Sequence, residues 1–366
     1  VTGTNGKTSV VHFAKQIWAA LGYHAENMGT LSGAMTTPYP VAIHEKLAAL
    51  ADNGVTHLAL EASSHGLDQY RLDGVNIKAA GFTNLSRDHL DYHADMDAYL
   101  AAKSRLFNGL LGEGDVAVLN ADIPEYERLT TQTKARVLSY GRKGEDLKIL
   151  SITPTETGQD CEFKINNETH RIDINLVGEF QIYNLLCALG LVLSEGGINA
   201  EKAVKTLEKI TGVRGRLEFV SGHPRGAGIY IDYAHTPDAL ENVLNALRPH
   251  TSGNLVCLFG CGGDRDTGKR PQMGDIATRL ADRVVITDDN PRSEDPAAIR
   301  AAIMAAAPDA REIPDRRKAI NHCVSSLQSG DVLLVAGKGH EQGQILAGQT
   351  LPFDDVSEVR SSINNM

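Results

Sequence analysis

The sequence predicts an α/β fold of two domains, the first with a mostly parallel sheet and the second Rossmann-like. Three observations predict it. The chain opens on a glycine-rich turn, Val-Thr-Gly-Thr-Asn-Gly-Lys-Thr, directly ahead of an apolar-patterned stretch at residues 9–21 that reads as a helix. Short apolar runs at 55–60 and 77–82 end in Glu61 and in Thr83-Asn84, as buried parallel strands do. Beyond residue 229 the same strand-and-helix rhythm returns, and 366 residues exceed one ordinary core.

The opening turn has the chemistry of a P-loop. Gly3 and Gly6 let the backbone of Thr4 and Asn5 turn its N–H groups inward, Lys7 supplies a cation for the β and γ phosphates of ATP, and Thr8 offers a hydroxyl to magnesium. Val1 stands where the full G-x-x-x-x-G-K-[ST] pattern has glycine, so a plain strand-to-helix turn is the alternative. A P-loop normally follows a buried parallel strand, and only Val1 and Thr2 precede this one. The expectation is a truncated start: upstream residues complete that strand, or the sheet has lost an edge. Ligands of open parallel sheets sit beyond the carboxyl ends of the strands, where Glu61-Ala-Ser-Ser-His65 and Asn84-Leu-Ser-Arg-Asp-His89 fall. A carboxylate and an imidazole there suit magnesium, against the plainer readings of Glu61 as a turn cap and His89 as a surface residue.

Further along, residues 116–119 read as a short buried strand, and 148–152, 161–165 and 169–176 as a small antiparallel excursion on the first domain. Residues 178–193 read as a helix. Thr211-Gly-Val-Arg-Gly215 interrupts the pattern with two glycines, which sets the domains at 1–213 and 214–366. In the second domain, strands at 229–232, 254–259, 283–287 and 331–335 alternate with helices starting near Pro237, Pro271, Pro296 and Asp315. Gly260-Cys-Gly-Gly263 lacks the G-x-G-x-x-G spacing of a dinucleotide fingerprint.

Composition excludes several classes. A net charge of −10 argues against a nucleic-acid partner. Five cysteines without a C-x-x-C pair fit reduced thiols and no zinc site. No apolar run approaches the ~20 residues that cross a bilayer, so the expectation is a cytoplasmic enzyme with no membrane partner, acting as a monomer.

Together the motifs resemble the Mur ligase family in order and spacing, over nearly the whole chain. They are Gly-Thr-Asn-Gly-Lys-Thr, Glu61-Ala-Ser-Ser-His-Gly-Leu, Thr83-Asn-Leu-Ser-Arg-Asp-His89-Leu-Asp-Tyr-His, Tyr99-Leu-Ala-Ala-Lys103 and Gly-Glu-Phe-Gln-Ile-Tyr-Asn184. They continue through Gly-Arg216-Leu-Glu, Asp232-Tyr-Ala-His235-Thr-Pro-Asp238, Gly-Cys-Gly-Gly-Asp-Arg265-Asp, Asp-Asp289-Asn-Pro-Arg292 and Ala-Gly337-Lys-Gly-His-Glu341. The resemblance implies an ADP-forming ligase of peptidoglycan synthesis that adds meso-2,6-diaminopimelate to UDP-N-acetylmuramoyl-L-alanyl-D-glutamate, here without the family's N-terminal UDP-binding domain.

The resemblance also implies residue roles. Thr8 and Glu61 would hold one magnesium ion, and Glu61, His89 and Lys103 a second, with Lys103 carbamylated by carbon dioxide into an anionic ligand. A solvated helix lysine is the plain alternative for Lys103. Asn184, Asp232 and His235 would face ATP, with Arg216 marking the start of the second domain. Thr36, Thr37, Ser63, Gln69 and Arg71 would contact the UDP-linked substrate, Arg71 through its bidentate guanidinium; a proline-bearing surface loop is the alternative for the stretch around Thr36. Arg265, Asp289, Asn290, Arg292, Gly337 and Glu341 would bind diaminopimelate. A buried Arg292 left unpaired by lysine would cost about 1–3 kcal/mol and favour the diacid, with turn-capping as its other reading. Closure of the second domain over the first would bring the substrates together and exclude water. A lysine-adding relative, a cyanophycin-synthetase-like ligase domain and a non-catalytic nucleotide-binding module remain the alternatives.

Overall fold

The computed structural model describes residues 1–33, 35–155 and 158–366. The chain divides into two compact units, Val1–Thr211 and Gly212–Met366. No helix among the described residues is long and apolar enough to cross a membrane.

The first unit runs α1 (Lys7–Ala20), β1 (Ala25–Met28), α2 (Pro40–Asp52), β2 (His57–Leu60), α3 (Ser64–Asp68), β3 (Ala79–Phe82), α4 (Met96–Asn108), β4 (Val116–Asn120) and α5 (Tyr126–Gln132). It continues with β5 (Arg136–Gly141), β6 (Leu147–Pro154), β7 (Gln159–Ile165), β8 (Glu168–Ile174), α6 (Glu179–Leu193) and α7 (Ala200–Lys205). β1 and β2 pair in parallel, and β3 to β8 follow one another across a second sheet, parallel up to β6 and antiparallel after it. The expected antiparallel strands are β6–β8, and they continue the main sheet: Tyr140 and Gly141 of β5 pair with Leu147 and Lys148.

Val1 and Thr2 lie between the two sheets. The Val1 amine donates to Leu60 O (2.8 Å) and its carbonyl accepts from Ala62 N (2.8 Å). Thr2 donates to Gly81 O (2.8 Å) and accepts from Thr83 N (3.1 Å). Alternate backbone groups face β2 and β3, so Val1 and Thr2 are interior. The loop that follows thus emerges between the ends of β2 and β3, beside Glu61 and Thr83. Leu67, Leu72, Phe82, Leu100, Leu106, Phe107 and Leu119 form a core under α3 and α4, while α1 packs on α6.

The second unit holds β9 (Glu218–Phe219), β10 (Gly228–Asp232), α8 (Pro237–Leu247), β11 (Leu255–Phe259), α9 (Lys269–Leu280), β12 (Arg283–Ile286), α10 (Pro296–Met304) and β13 (Arg311–Glu312). After these come α11 (Arg316–Ser326), β14 (Val332–Ala336), the hairpin β15 (Gly343–Leu346) and β16 (Gln349–Pro352), and α12 (Asp355–Asn364). The sheet order is β13-β12-β11-β14-β10-β9, all parallel except β9. Pro237 and Pro296 stand at first helical positions, where a missing N–H costs nothing. α9 begins two residues ahead of Pro271, at Lys269, still inside the turn whose N–H groups lack helical acceptors. Ile229, Ile231, Val256, Leu258, Leu333 and Val335 fill the core against α11 and α12.

Candidate functional site

Two glycines shape the opening loop. Gly3 (φ 143°) and Gly6 (φ 87°) occupy the left-handed region, and a Cβ would overlap Thr83 Oγ1 at the first and Asn184 Oδ1 at the second. α1 starts at Lys7 with no side-chain cap and no acidic residue in its first turn, so its positive end suits an external anion. Lys7 Nζ donates to Gly3 O and Thr4 O, both at 2.8 Å. Lys103 Nζ, from α4, reaches the same Gly3 O at 2.9 Å. Lys103 is 1% exposed. Burial first, then repulsion from Lys7, push its pKa well below the usual lysine value, with Asp88 opposing. Thr8 is buried in the first turn of α1.

The loop is laced to the segment after β3. Thr4 Oγ1 exchanges bonds with Ser86, donating to its carbonyl (3.2 Å) and accepting from its N–H (2.9 Å), and lies 3.3 Å from the Tyr99 hydroxyl. Asn5 N donates to Asn84 Oδ1 (2.9 Å), and Thr83 Oγ1 donates to Asn5 O (2.6 Å). The Tyr99 ring then sits 4.3 Å from Lys103 Nζ and 6.1 Å from the His89 ring. His89 has φ 54° and lies 3.5 Å from Asp88. Burial lowers its pKa to about 4, against the pull of Asp88 and with the push of Lys7, so the ring is neutral and able to ligate.

Glu61 is 2% exposed. Its carboxylate accepts from Thr30 N (2.9 Å) and Thr30 Oγ1 (3.1 Å), not from His89 or Lys103. A Cβ on Gly29 would overlap Glu61 Oε1. Gly29 and Thr30 are thus site residues that sequence reasoning missed; they follow β1, whose Ala-Glu-Asn-Met carries no strand-like apolar pattern.

The expected substrate-contacting set forms one connected group. Thr36 Oγ1 lies 3.1 Å from Thr30 Oγ1; Thr37 Oγ1 donates to Glu61 O (2.9 Å) and accepts from Ser63 N (2.9 Å). Ser63 caps α3 by accepting from Gly66 N (3.0 Å). Arg71, 7% exposed, is already engaged: it donates to Thr37 O (2.7 Å) and to Gln69 Oε1 (3.1 Å) and lies over the Tyr39 ring. It braces this wall, and only part of its fork remains for a ligand.

Asn184, in α6, abuts Gly6 and donates to Gln181 Oε1 (3.1 Å). In the second unit, Asp232 accepts from Ala234 N (2.7 Å) in its own turn and from Leu217 N (2.6 Å) in the segment ahead of β9. Burial raises its pKa, which Arg216 and these bonds oppose. His235 Nδ1 lies 2.9 Å from Tyr233 O, and Arg216 stacks on the Tyr233 ring.

Asp289, Asn290, Gly337 and Glu341 come together where β14 ends. Asn290 Nδ2 donates to Glu341 Oε2 (2.8 Å). A Cβ on Gly337 (φ 111°) would overlap Asp289 Oδ2. Between them lies Lys338, which sequence reasoning left without a role, and Gln344 donates to Asp289 O (2.8 Å). Arg292 (φ 55°) is half-buried rather than buried, and its Nη1 donates to Gly263 O (2.8 Å). Lysine would therefore not leave it wholly unpaired. Arg265 is exposed and donates to Asp264 O (3.0 Å), while Asp264 accepts from Ser293 (2.6 Å), so the two arginine-bearing loops are joined.

Among the described residues no group of three His, Cys, Asp or Glu is placed to hold a metal ion. The first unit nevertheless offers hard donors in Thr8 and a buried Glu61 without a cationic hydrogen-bond partner, and the neutral His89 ring feels the charge of Lys7 beside Thr8. That set fits magnesium once ligand oxygens complete the shell.

Residues 1–192 match the Mur ligase middle domain and residues 215–339 the family described as Mur ligase, glutamate ligase domain. The UDP-N-acetylmuramoyl-L-alanyl-D-glutamate–2,6-diaminopimelate ligase of Caulobacter vibrioides is 52% identical over 100% of this chain and 79% of its own length. That of Zymomonas mobilis is 45% identical over 99% and 78%. A solved structure of a ligase of that name superposes with a TM-score of 0.70 at 36% identity, covering 99% of this chain and 77% of that one. A folylpolyglutamate synthase from Mycobacterium tuberculosis shares the fold, with a TM-score of 0.75 at 21% identity over 92% and 86%.

Proposed function

The chain belongs to the Mur ligase family, and from that premise we propose that it is an ATP-dependent ligase joining meso-diaminopimelate to UDP-N-acetylmuramoyl-L-alanyl-D-glutamate in peptidoglycan synthesis. The observation that carries the reading is the meeting of Lys7 and Lys103 on the Gly3 carbonyl, at an uncapped helix start. The Lys7 amine at a helix N-terminus suits the triphosphate of ATP, and the buried Lys103 amine beside it suits modification into a metal ligand.

The γ-carboxylate of D-glutamate attacks the γ-phosphorus of ATP; the bond to the β,γ-bridging oxygen breaks, ADP leaves and an acyl phosphate forms. Lys7 and the loop N–H groups stabilise the charge that moves to the leaving oxygen. A neutral amine of diaminopimelate then attacks the acyl carbon. The tetrahedral intermediate loses a proton, expels phosphate and leaves an amide. Asp289 or water takes that proton. Asn290, Arg292, Arg265, Gly337 and Glu341 receive the amino acid, and Thr36, Thr37, Ser63, Gln69 and Arg71 the UDP-linked substrate. Asn184, Asp232 and His235 serve ATP.

Thr8 and Glu61 would hold one magnesium ion and Glu61, His89 and carbamylated Lys103 a second, ions that when bound neutralise phosphate charge. The Lys103 environment supports the modification, since a neutral amine adds to carbon dioxide with loss of a proton, and burial disfavours the charged form of this amine. Lys103→Ala is expected to lose about 10²-fold or more in turnover, and carbon-dioxide-depleted enzyme to recover with bicarbonate, with the added mass seen on the intact protein. Undiminished, bicarbonate-insensitive turnover by Lys103→Ala would contradict the mechanism.

A further inference from the structure

Lys338 follows the glycine that turns the chain out of β14, and its side chain has no exposed surface. Its Nζ donates to Asn290 Oδ1 (2.9 Å) and to Glu341 Oε2 (3.1 Å). Asn290 Oδ1 accepts a second bond from Ile345 N (2.9 Å), at the start of the hairpin. With two donors on its oxygen, the Asn290 amide has one orientation, and Nδ2 must face Glu341 Oε2, where it donates at 2.8 Å. Both bonds to Glu341 fall on Oε2. Oε1 has no hydrogen bond among the described residues, and the Glu341 side chain keeps 30% of its surface exposed.

We infer that Lys338 is a positioning residue for the amino-acid pocket. By fixing the Asn290 amide and one oxygen of Glu341, it leaves Glu341 Oε1 as an acceptor and the second Nδ2–H of Asn290 as a donor, a pair that fits the ammonium and carboxylate of one amino-acid head. The inference rests on the diaminopimelate reading above and deepens it. Without Lys338 the Asn290 oxygen keeps only the Ile345 N–H and Glu341 loses its buried counter-charge, so the two groups hold their pattern less firmly.

The surroundings hold this arrangement rigid. Arg316 and Asp355, both without exposed side-chain surface, pair at 2.8 and 2.7 Å, and Arg316 Nη2 donates to Ala336 O (2.9 Å), bracing the end of β14. Gln344 ties the hairpin to the Asp289 carbonyl. Lys338 thus joins three segments, the β14 turn, the loop after β12 and the hairpin, at the point where the amino-acid head would dock.

The test measures phosphate release from ATP with the UDP-linked dipeptide and meso-diaminopimelate, for the unmutated chain, Lys338→Met, Lys338→Gln and Lys338→Arg. The expected result is a KM for diaminopimelate raised about tenfold or more in Lys338→Met, KM for ATP within about twofold, and partial recovery in Lys338→Arg. Lys338→Gln keeps a donor but is neutral and one bond shorter, so its KM for diaminopimelate, also expected to rise, decides the matter if the methionine variant does not fold. Combining Lys338→Met with Glu341→Gln is expected to be less than additive. Unchanged KM for diaminopimelate in folded variants, or equal rises for ATP and diaminopimelate, would overturn the inference while leaving the ligase reading intact. An unmutated chain that shows no diaminopimelate-dependent release would instead overturn that reading, and this inference with it.

Discussion

Gly3 O receives Lys7 at 2.8 Å and Lys103 at 2.9 Å, residues far apart in sequence and of different character. Lys7 is part of the loop itself, whereas Lys103 is carried by α4 and shut away beside Tyr99, so one suits moving phosphate charge and the other covalent modification. In the second unit His340 follows the same logic of burial. Desolvation, with Arg216 and Arg214 adding repulsion, lowers its pKa to about 4, and its ring lies 5.0 Å from Tyr233. Unfolded histidine binds a proton below about 6.5, while the folded ring stays neutral down to about 4. Over that window the unfolded chain binds more protons, so this group's contribution to stability falls as pH falls. His340→Gln is expected to lose less stability than the parent between pH 6.5 and 4.5 in urea titrations. An identical loss would show that His340 does not titrate as its burial requires.

Helix α4 brings two side chains to the loop, because Tyr99 and Lys103 stand one turn apart on the face turned to Thr4 and Gly3. Asp95 caps it, accepting from Ala98 N at 2.8 Å. Asp95→Ala is expected to cost about 1 kcal/mol and to fray the turn that carries Tyr99; unchanged denaturant midpoint and unchanged turnover would count against that role. The glycine-rich loop, the strand ending at Glu61 and the proline-started helices were legible because each rests on local backbone chemistry. β1 was not, since Glu26 and Asn27 break its apolar pattern, and with it went Gly29 and Thr30. The place of β6–β8 in the main sheet was also hidden, because local alternation says a strand exists without naming its neighbour. Lys338 shows the same limit at a site: its partners include Asn290, 48 residues away, and nothing local marks a lysine as buried. Arg292 was read as buried from its company alone, and its bond to Gly263 O lies outside any local pattern.

Over the whole molecule, the chemistry divides between two units with separate cores. Val1–Thr211 carries the phosphate loop with Glu61, His89 and Lys103; Gly212–Met366 carries the pocket of Asp289, Asn290, Lys338 and Glu341. Under the proposed function, activating a carboxylate and presenting an amine are different tasks, assigned to different units. The account therefore requires that phosphate release, which follows attack on the acyl phosphate, depend on the arriving amine donor. The most direct measurement is phosphate release from ATP in the presence of UDP-N-acetylmuramoyl-L-alanyl-D-glutamate, comparing meso-diaminopimelate, lysine and no amino acid. The account predicts release and a tripeptide product with diaminopimelate, with little of either for lysine or for no addition. Equal use of lysine and diaminopimelate would contradict the pocket assignment, and release indifferent to any amino acid, from a folded chain that binds ATP, would contradict the ligase reading itself.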